Sequence, residues 1–221
     1  MNDTFLQENY QKILAQLPAT VKLVVVSKTH PAEKIQELYT LGQQVFGENR
    51  VQELLEKHTV LPKDIKWHVI GHLQTNKVKT IAAFVDTIES VDSERLLEEI
   101  NRQALLINRK IKVLLQVKIA EEDTKFGLEV SETKELFQKW LQGAYPSVEI
   151  TGLMGMATFT TDEDQIRREF SFLKHLFDQL SQHRSLETLS MGMSGDFPIA
   201  IACGSTSVRV GSAIFGERDY R

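Results

Sequence analysis

Short apolar runs and longer amphipathic segments alternate along almost the whole chain. The apolar runs are rich in valine, isoleucine and leucine and stop after a few residues, which is typical of strands buried on both faces of a sheet. The amphipathic segments repeat their apolar positions at helical spacing. The pattern predicts strands over residues 22–27, 44–46, 67–70, 85–88, 112–119, 148–154, 188–191 and 207–210.

The segments between these strands predict helices, and a further helix precedes the first strand. The predicted helices cover residues 3–16, 31–42, 50–57, 75–82, 93–107, 131–142, 162–182 and 197–202. Strands separated by helices run parallel through right-handed crossovers, and eight such units favour a closed barrel over an open sheet. We therefore expect an α/β protein: a single (β/α)₈ TIM-type barrel with an extra N-terminal helix. An open doubly wound sheet is the competing fold. No linker divides residues 1–221, so we expect one domain.

Composition and charge exclude several classes of protein. The net charge is −4 and no dense Lys/Arg block occurs, which argues against nucleic-acid binding. The N-terminal stretch carries Asp and Glu on a helical pattern, which is unlike a secretory signal, and no apolar run is long enough to span a membrane. Cys203 is the single cysteine, so no intrachain disulfide can form. We expect a protein of the reducing cytoplasm.

In a parallel barrel the functional groups gather where the strands end, at the carboxyl mouth. The first strand ends in VVVSKTHP, which places Lys28 at this mouth. One interpretation is that the long side chain reaches out to water. The other is that a rigid strand end holds the amine ready to react with a carbonyl group.

The second and third strands bring two further polar residues toward the interior. FGENR places Asn49 at a strand-to-helix junction, where the competing interpretation is a helix N-cap. His68 lies within the third strand, and we interpret it as a hydrogen-bonded core histidine. No second ligand stands at metal-binding spacing from it, so we predict no metal site.

Glycines and hydroxyl residues cluster after the seventh strand and around the eighth. In barrels of this kind the loops after the last two strands often form a phosphate cradle, because glycine lets backbone N–H groups approach an anion. Ser194, Gly195, Gly211 and Ser212 are best placed for that role. Residues 204–206 precede the eighth strand and are expected at the opposite end, as a turn or cap.

Arg209 lies between two valines of the eighth strand, and alternation sends its side chain to the other face. A buried guanidinium needs a partner, either a structural carboxylate or a ligand acceptor in the barrel mouth. An amine, a phosphate cradle and an arginine at one mouth match the aldehyde, phosphate and ring nitrogen of pyridoxal 5′-phosphate.

The blocks VVVSKTHP, FGENRVQE, WHVIGHLQTNK, GLMGMAT and LSMGMSGDFPIAIACGSTSVRVGSAIFG occur in this order and span nearly the whole chain. With them the sequence resembles the pyridoxal phosphate homeostasis protein family, whose fold is similar to the N-terminal barrel of alanine racemase. The resemblance implies that Lys28 forms the internal aldimine, that Asn49 lies near the cofactor ring and that Arg209 meets the pyridine nitrogen.

The same resemblance implies that Ser194, Gly211 and Ser212 hold the phosphate. Because a guanidinium only donates hydrogen bonds, a ring nitrogen that it contacts stays unprotonated and is a weak electron sink. This favours holding of the cofactor, or a narrow reaction, over broad catalysis.

Two functions remain open on the sequence. The first is a non-catalytic carrier that holds, buffers or delivers pyridoxal phosphate, with apo-enzymes that depend on this cofactor as candidate recipients. The second is an amino-acid racemase of the alanine racemase type, which needs a second acid/base from a further β domain. The sequence ends at Arg221 without such a domain, so we favour the carrier, as a monomer or weak dimer. Lys125 could host a second cofactor, although a solvated loop lysine is the competing interpretation.

Overall fold

Eight parallel strands close into a barrel in a computed structural model that describes residues 3–121 and 126–216. The strands pair in chain order, and the eighth returns to pair with the first. They are β1 (Lys22–Val26), β2 (Val45–Glu48), β3 (Lys66–Val69), β4 (Thr87–Val91), β5 (Ile111–Gln116), β6 (Val148–Met154), β7 (Thr188–Ser190) and β8 (Ser207–Val210). The predicted (β/α)₈ barrel is confirmed, and the open sheet is excluded.

Helices follow the strands and cover the outside of the barrel. They are α1 (Asp3–Gln16), α2 (Ala32–Thr40), α3 (Val51–Val60), α4 (Val78–Ile81), α5 (Glu94–Leu106), α6 (Val130–Leu141), α7 (Glu163–Ser181), α8 (Phe197–Ala202) and α9 (Ser212–Phe215). The extra N-terminal helix is α1, and it packs against α9, where Asn9 Nδ2 donates to the Ile214 carbonyl at 3.3 Å. Within the described part of the chain, no helix is long and apolar enough to cross a membrane.

Two packing regions follow from the alternation of side chains along the strands. Outward-facing residues pack against the helices in one apolar core, whose largest fully buried members include Trp67, Phe46, Phe137 and Phe170. Burying each such side chain stabilises the fold by roughly 1.5–3 kcal/mol. The inside of the barrel differs, because polar and charged groups are buried there as well.

The closing register of the barrel places Arg209 in this interior. β1 and β8 pair with Val24 beside Arg209 and Val25 beside Val210. Val24 is buried but lies outside the apolar core that joins the sheet to the helices, whereas Val25 belongs to that core. Arg209, at the register of Val24, is therefore on the inner side, as the alternation predicts.

Most predicted bounds differ from the structure by up to three residues, and two differences have an identifiable cause. The fourth strand is predicted at residues 85–88, but β4 runs over Thr87–Val91 with all five residues buried. Glu89 and Ser90 are polar residues more typical of loops than of a buried strand. Here Glu89 accepts a hydrogen bond from Ser190 inside the barrel, and Ser90 donates one to the Gly71 carbonyl. The short helix α9 is absent from the prediction, because four residues carry too little periodicity to mark a helix.

Candidate functional site

A cavity of about 280 Å³ opens at the carboxyl end of the strands. Six of the seven residues predicted from the sequence line it, namely Lys28, Ser194, Gly195, Arg209, Gly211 and Ser212. They come from the ends of β1 and β8 and from the loop after β7. Residues far apart in the chain thus share one wall, as expected for the mouth of a parallel barrel.

The backbone on both sides of Lys28 is held in place. The Ser27 carbonyl accepts a hydrogen bond from Lys57 Nζ at 2.8 Å, and the Thr29 N–H donates to Glu53 Oε2 at 2.7 Å. Thr29 has φ +67°, a left-handed conformation that is uncommon for a residue other than glycine. Lys28 is half-buried between these two anchors, so its amine starts from a fixed backbone position.

A buried ion pair lies behind this lysine. Lys57 Nζ is 2.7 Å from Glu48 Oε1, and the Ser27 hydroxyl donates to the same oxygen at 2.6 Å. Burial raises the pKa of Glu48, while the Lys57 ammonium opposes that change. The pair connects α3 to the ends of β1 and β2. On the sequence, Lys57 looks like an ordinary residue at the end of a helix, so nothing marked it as a support for Lys28.

The loop after β7 and the start of α9 form a cradle of backbone N–H groups. Ser194 Oγ accepts from the N–H groups of Gly211 and Ala213, both at 3.3 Å, which fixes the two segments to each other. The N–H groups of Ser194, Gly195 and Ser212 have no hydrogen-bond acceptor among the described residues. Three donors and two serine hydroxyls at one cavity are the chemistry that a phosphate group requires.

Gly211 allows the cradle to lie close to the lysine strand. A Cβ at this position would lie 3.0 Å from the Val26 carbonyl oxygen and 3.1 Å from Val26 Cβ, which is tighter than ordinary contact. The His30 ring also stacks on Phe215, with centroids 4.0 Å apart, and joins the loop after β1 to α9. The contribution of Gly211 is this close approach, since its own N–H is used by Ser194.

Arg209 has structural partners and lines the cavity as well. Its Nη1 donates to Ser190 Oγ at 2.6 Å, its Nη2 donates to the Gly155 carbonyl at 3.1 Å, and Glu89 Oε2 lies 3.9 Å from Nη1. Only 3% of Arg209 is exposed. Burial lowers its pKa, and the charges of Glu89 and Asp196 oppose that change. The sequence left two partners open for Arg209, a structural carboxylate or a ligand in the barrel mouth. In the structure Arg209 lies near a carboxylate, that of Glu89, and also lines the cavity.

Asn49 stands apart from the other predicted residues. The N-cap interpretation is wrong, because the N-cap of α3 is Arg50, which makes no side-chain capping bond. Asn49 is not part of the cavity wall, but its Oδ1 is buried without a hydrogen-bond partner among the described residues. A buried amide oxygen without a partner is costly, so this position is suited to an additional polar contact.

His68 is a hydrogen-bonded interior histidine, as its sequence context predicts. Its Nδ1 lies 2.6 Å from Glu89 Oε1 and its Nε2 lies 3.6 Å from Asp86 Oδ2. Glu89 and Ser190, which the sequence did not single out, connect His68 to Arg209. Across residues 3–121 and 126–216, no three His, Cys, Asp or Glu side chains are arranged to hold a metal ion. Lys125, the candidate for a second cofactor, lies outside the described residues.

Fold and cavity together define an α/β-barrel protein with a small-molecule site at the carboxyl end of its strands. The family model of the alanine racemase N-terminal domain matches residues 3–219. Over 202 residues, the chain is 44% identical to the pyridoxal phosphate homeostasis protein of Aquifex aeolicus, covering 90% of this chain and 88% of that protein. The chain therefore belongs to the pyridoxal phosphate homeostasis protein family, whose members share the alanine racemase N-terminal fold.

Solved structures agree with this assignment. The structure of PipY from Synechococcus elongatus with PLP bound has a TM-score of 0.85 and 38% identity, covering 96% of this chain and all of PipY. The alanine racemase of Clostridium difficile has a TM-score of 0.81 but only 16% identity, covering 97% of this chain and 57% of the racemase. The likeness to the racemase is one of fold alone.

Proposed function

We propose that this protein binds pyridoxal 5′-phosphate at the barrel mouth and holds, buffers or delivers it in the cytoplasm without catalysing a reaction of its own. The observation that carries the proposal is that one cavity brings together the amine of Lys28, the guanidinium of Arg209 and the N–H cradle. Membership of the homeostasis family and the PLP-bound PipY structure support the choice of ligand.

Each wall residue has a distinct task in this proposal. Lys28 supplies the amine; condensation of a neutral amine with an aldehyde forms a C=N double bond and releases one water molecule. Ser194 and Ser212 hold the phosphate with their hydroxyls and N–H groups, together with the N–H of Gly195. Arg209 donates to the ring nitrogen, which stays unprotonated because a guanidinium gives up no proton at neutral pH.

The donor set fits the ligand. The cradle offers hydrogen-bond donors to a phosphate, and the guanidinium offers donors to a ring nitrogen. The backbone that carries the Lys28 amine is held by hydrogen bonds on both sides. Asn49 is proposed as a contact near the ring, because its buried Oδ1 can accept a hydrogen bond from a hydroxyl group. All these groups lie in residues 1–221, which we propose act as one cofactor-binding barrel.

The wall of the cavity favours a carrier over a racemase. Racemisation needs acid/base groups on both faces of the substrate. Among the described residues of the wall, the titratable side chain besides Lys28 and Arg209 is Asp196, whose Oδ1 accepts the Met193 N–H at 2.6 Å within the cradle. His68 lies outside this wall. The cavity therefore offers Lys28 a poor second acid/base.

Covalent labelling tests the binding proposal. The purified protein is incubated with pyridoxal phosphate, reduced with borohydride and digested, and the modified lysine is identified by mass spectrometry. We expect modification at Lys28, and we expect Lys28→Ala to lose most of the covalent label while keeping its fold. The matched control is Lys77→Ala, which removes an exposed lysine outside the cavity wall. A Lys28→Ala variant that is labelled as fully as the parent would refute the proposal.

Turnover and transfer distinguish the carrier from the racemase. The loaded protein is incubated with L-amino acids in deuterated water, and α-proton exchange, enantiomer ratio and keto-acid formation are followed. A carrier shows no sustained turnover, and it restores activity to an apo-enzyme that depends on pyridoxal phosphate. Repeated turnover of any common amino acid, lost in Lys28→Ala, would show the racemase or a related activity instead.

A further inference from the structure

A row of charged side chains crosses the inside of the barrel and ends at the cavity. Both ring nitrogens of His68 face carboxylates, with Glu89 on one side and Asp86 on the other. Because an ionised carboxylate only accepts hydrogen bonds, Nδ1 carries a proton toward Glu89, and the charge of Asp86 at 3.6 Å from Nε2 favours a second proton on that nitrogen. The arrangement therefore favours a positive charge on the part-buried His68, between two negative charges.

Ser190 links Glu89 to Arg209 in a fixed direction. Its hydroxyl donates to Glu89 Oε2 at 2.5 Å and accepts from Arg209 Nη1 at 2.6 Å. A serine hydroxyl has one proton, and a guanidinium only donates, so the directions of both hydrogen bonds are determined. The position of the Arg209 head group thus depends on Glu89, although the two charges are 3.9 Å apart.

The signs of the charges alternate along the row, from Asp86 through His68 and Glu89 to Arg209. Glu89 and Arg209 are almost fully buried, and 14% of the His68 side chain is exposed. Removing one member of such a row leaves its neighbour with an uncompensated buried charge. His68 does not line the cavity at the carboxyl mouth; it lines a separate cavity of about 190 Å³ at the amino-terminal end of the strands.

We propose that His68 is a positioning residue for the cofactor, which acts through Glu89 and Ser190 to hold the Arg209 guanidinium toward the ring nitrogen. The inference rests on the proposed function. It says that a residue lining the cavity at the opposite end of the barrel influences how the cofactor is held. With His68 absent, Glu89 loses one of its two hydrogen-bonded partners and the positive charge beside it, and it draws closer to Arg209. The arginine then turns away from the ligand.

Two ligands that differ at a single atom test this inference. The probes are pyridoxal 5′-phosphate and its 1-deaza analogue, in which a C–H group replaces the ring nitrogen while the aldehyde and phosphate remain. The dissociation constant of each is measured by equilibrium dialysis for the parent, His68→Gln and Ser190→Ala. The matched control is His183→Gln, which removes an exposed histidine far along the chain. Near-ultraviolet circular dichroism confirms that each variant is folded.

In the parent, pyridoxal phosphate should bind more tightly than the analogue, because only the former accepts a hydrogen bond from Arg209. In His68→Gln and Ser190→Ala this preference should fall roughly tenfold, mainly through weaker binding of pyridoxal phosphate. The control should keep the preference of the parent. If His68→Gln does not fold, Ser190→Ala decides the question, because it removes the link without leaving an unpaired histidine.

Three outcomes would overturn the inference. In the first, folded variants keep the preference of the parent; in the second, they lose affinity for both probes equally, which is the signature of a merely structural role. In the third, the parent binds both probes equally, which excludes the contact between Arg209 and the ring nitrogen while leaving the binding proposal intact. A parent that binds neither probe refutes the proposed function itself, so the two failures are distinguishable.

Discussion

Replacing His68 by glutamine should remove a pH-dependent part of the stability of the protein. In the folded chain, burial opposes the charged imidazole, but the hydrogen bond to Glu89 and the negative charges of Glu89 and Asp86 outweigh it and raise the pKa of His68 from 6.5 to about 9. A base with a higher pKa in the folded chain stabilises the fold fully below its unfolded pKa. It loses this contribution as pH rises through the folded pKa.

The expected size follows from these two pKa values. Because one pKa unit is worth about 1.4 kcal/mol, the change from 6.5 to about 9 corresponds to about 3 kcal/mol in the free energy of unfolding. This contribution is present below pH 6.5 and disappears between pH 6.5 and about 9. Burial lowers the pKa of His58, so the contribution of that histidine to the pH dependence of stability falls mainly below pH 6.5, outside the range in which His68 titrates.

Urea unfolding of the cofactor-free protein measures the effect. The free energies of unfolding of the parent, His68→Gln and the control His183→Gln are compared at about pH 6 and about pH 10. The difference between the parent and His68→Gln should shrink by about 3 kcal/mol over this range, whereas the control should follow the parent throughout. A constant difference between the parent and His68→Gln would refute the reasoning, because it would mean that His68 carries no additional proton in the folded chain.

The remaining predictions concern the cradle, the ion pair behind the lysine and the core. Ser194→Ala combined with Ser212→Ala should weaken binding of pyridoxal phosphate roughly tenfold or more and hardly affect pyridoxal; equal losses for both, by equilibrium dialysis, would place the phosphate elsewhere. Lys57→Met should lower the free energy of unfolding by about 3 kcal/mol near neutral pH, because it leaves the Glu48 carboxylate buried without its counter-charge; an unchanged urea midpoint would contradict this. Phe170→Ala, at a fully buried position of α7, should cost about 4 kcal/mol in the same assay, and a cost below about 1 kcal/mol would mean that the core is loosely packed there.

Much of the fold could be predicted because the spacing of apolar residues within each strand and helix is enough to indicate that element. The bounds of β6, β8, α1 and α8 agree with the predicted ranges residue for residue. Their apolar runs or helical spacing match the environment in which they are buried. β4 was misplaced because its interior face carries Glu89, and a buried charge contradicts the pattern by which strands are recognised.

The site was predictable only in part, for a related reason. Lys28 and Ser194 could be placed by topology, because strand ends of a parallel barrel meet at one mouth. Glu89 could not be placed, because its importance arises from contacts with residues distant in sequence, above all Ser190 and Arg209. No local pattern records such contacts, and they become visible only when the barrel closes.

A crystal structure of the protein with pyridoxal 5′-phosphate tests the central claim most directly. We expect continuous density from Lys28 Nζ to the ligand, the phosphate within hydrogen-bonding distance of the N–H groups of Ser194, Gly195 and Ser212, and Arg209 facing the ring nitrogen. A ligand attached to a different lysine, or a phosphate bound away from this cradle, would contradict the account.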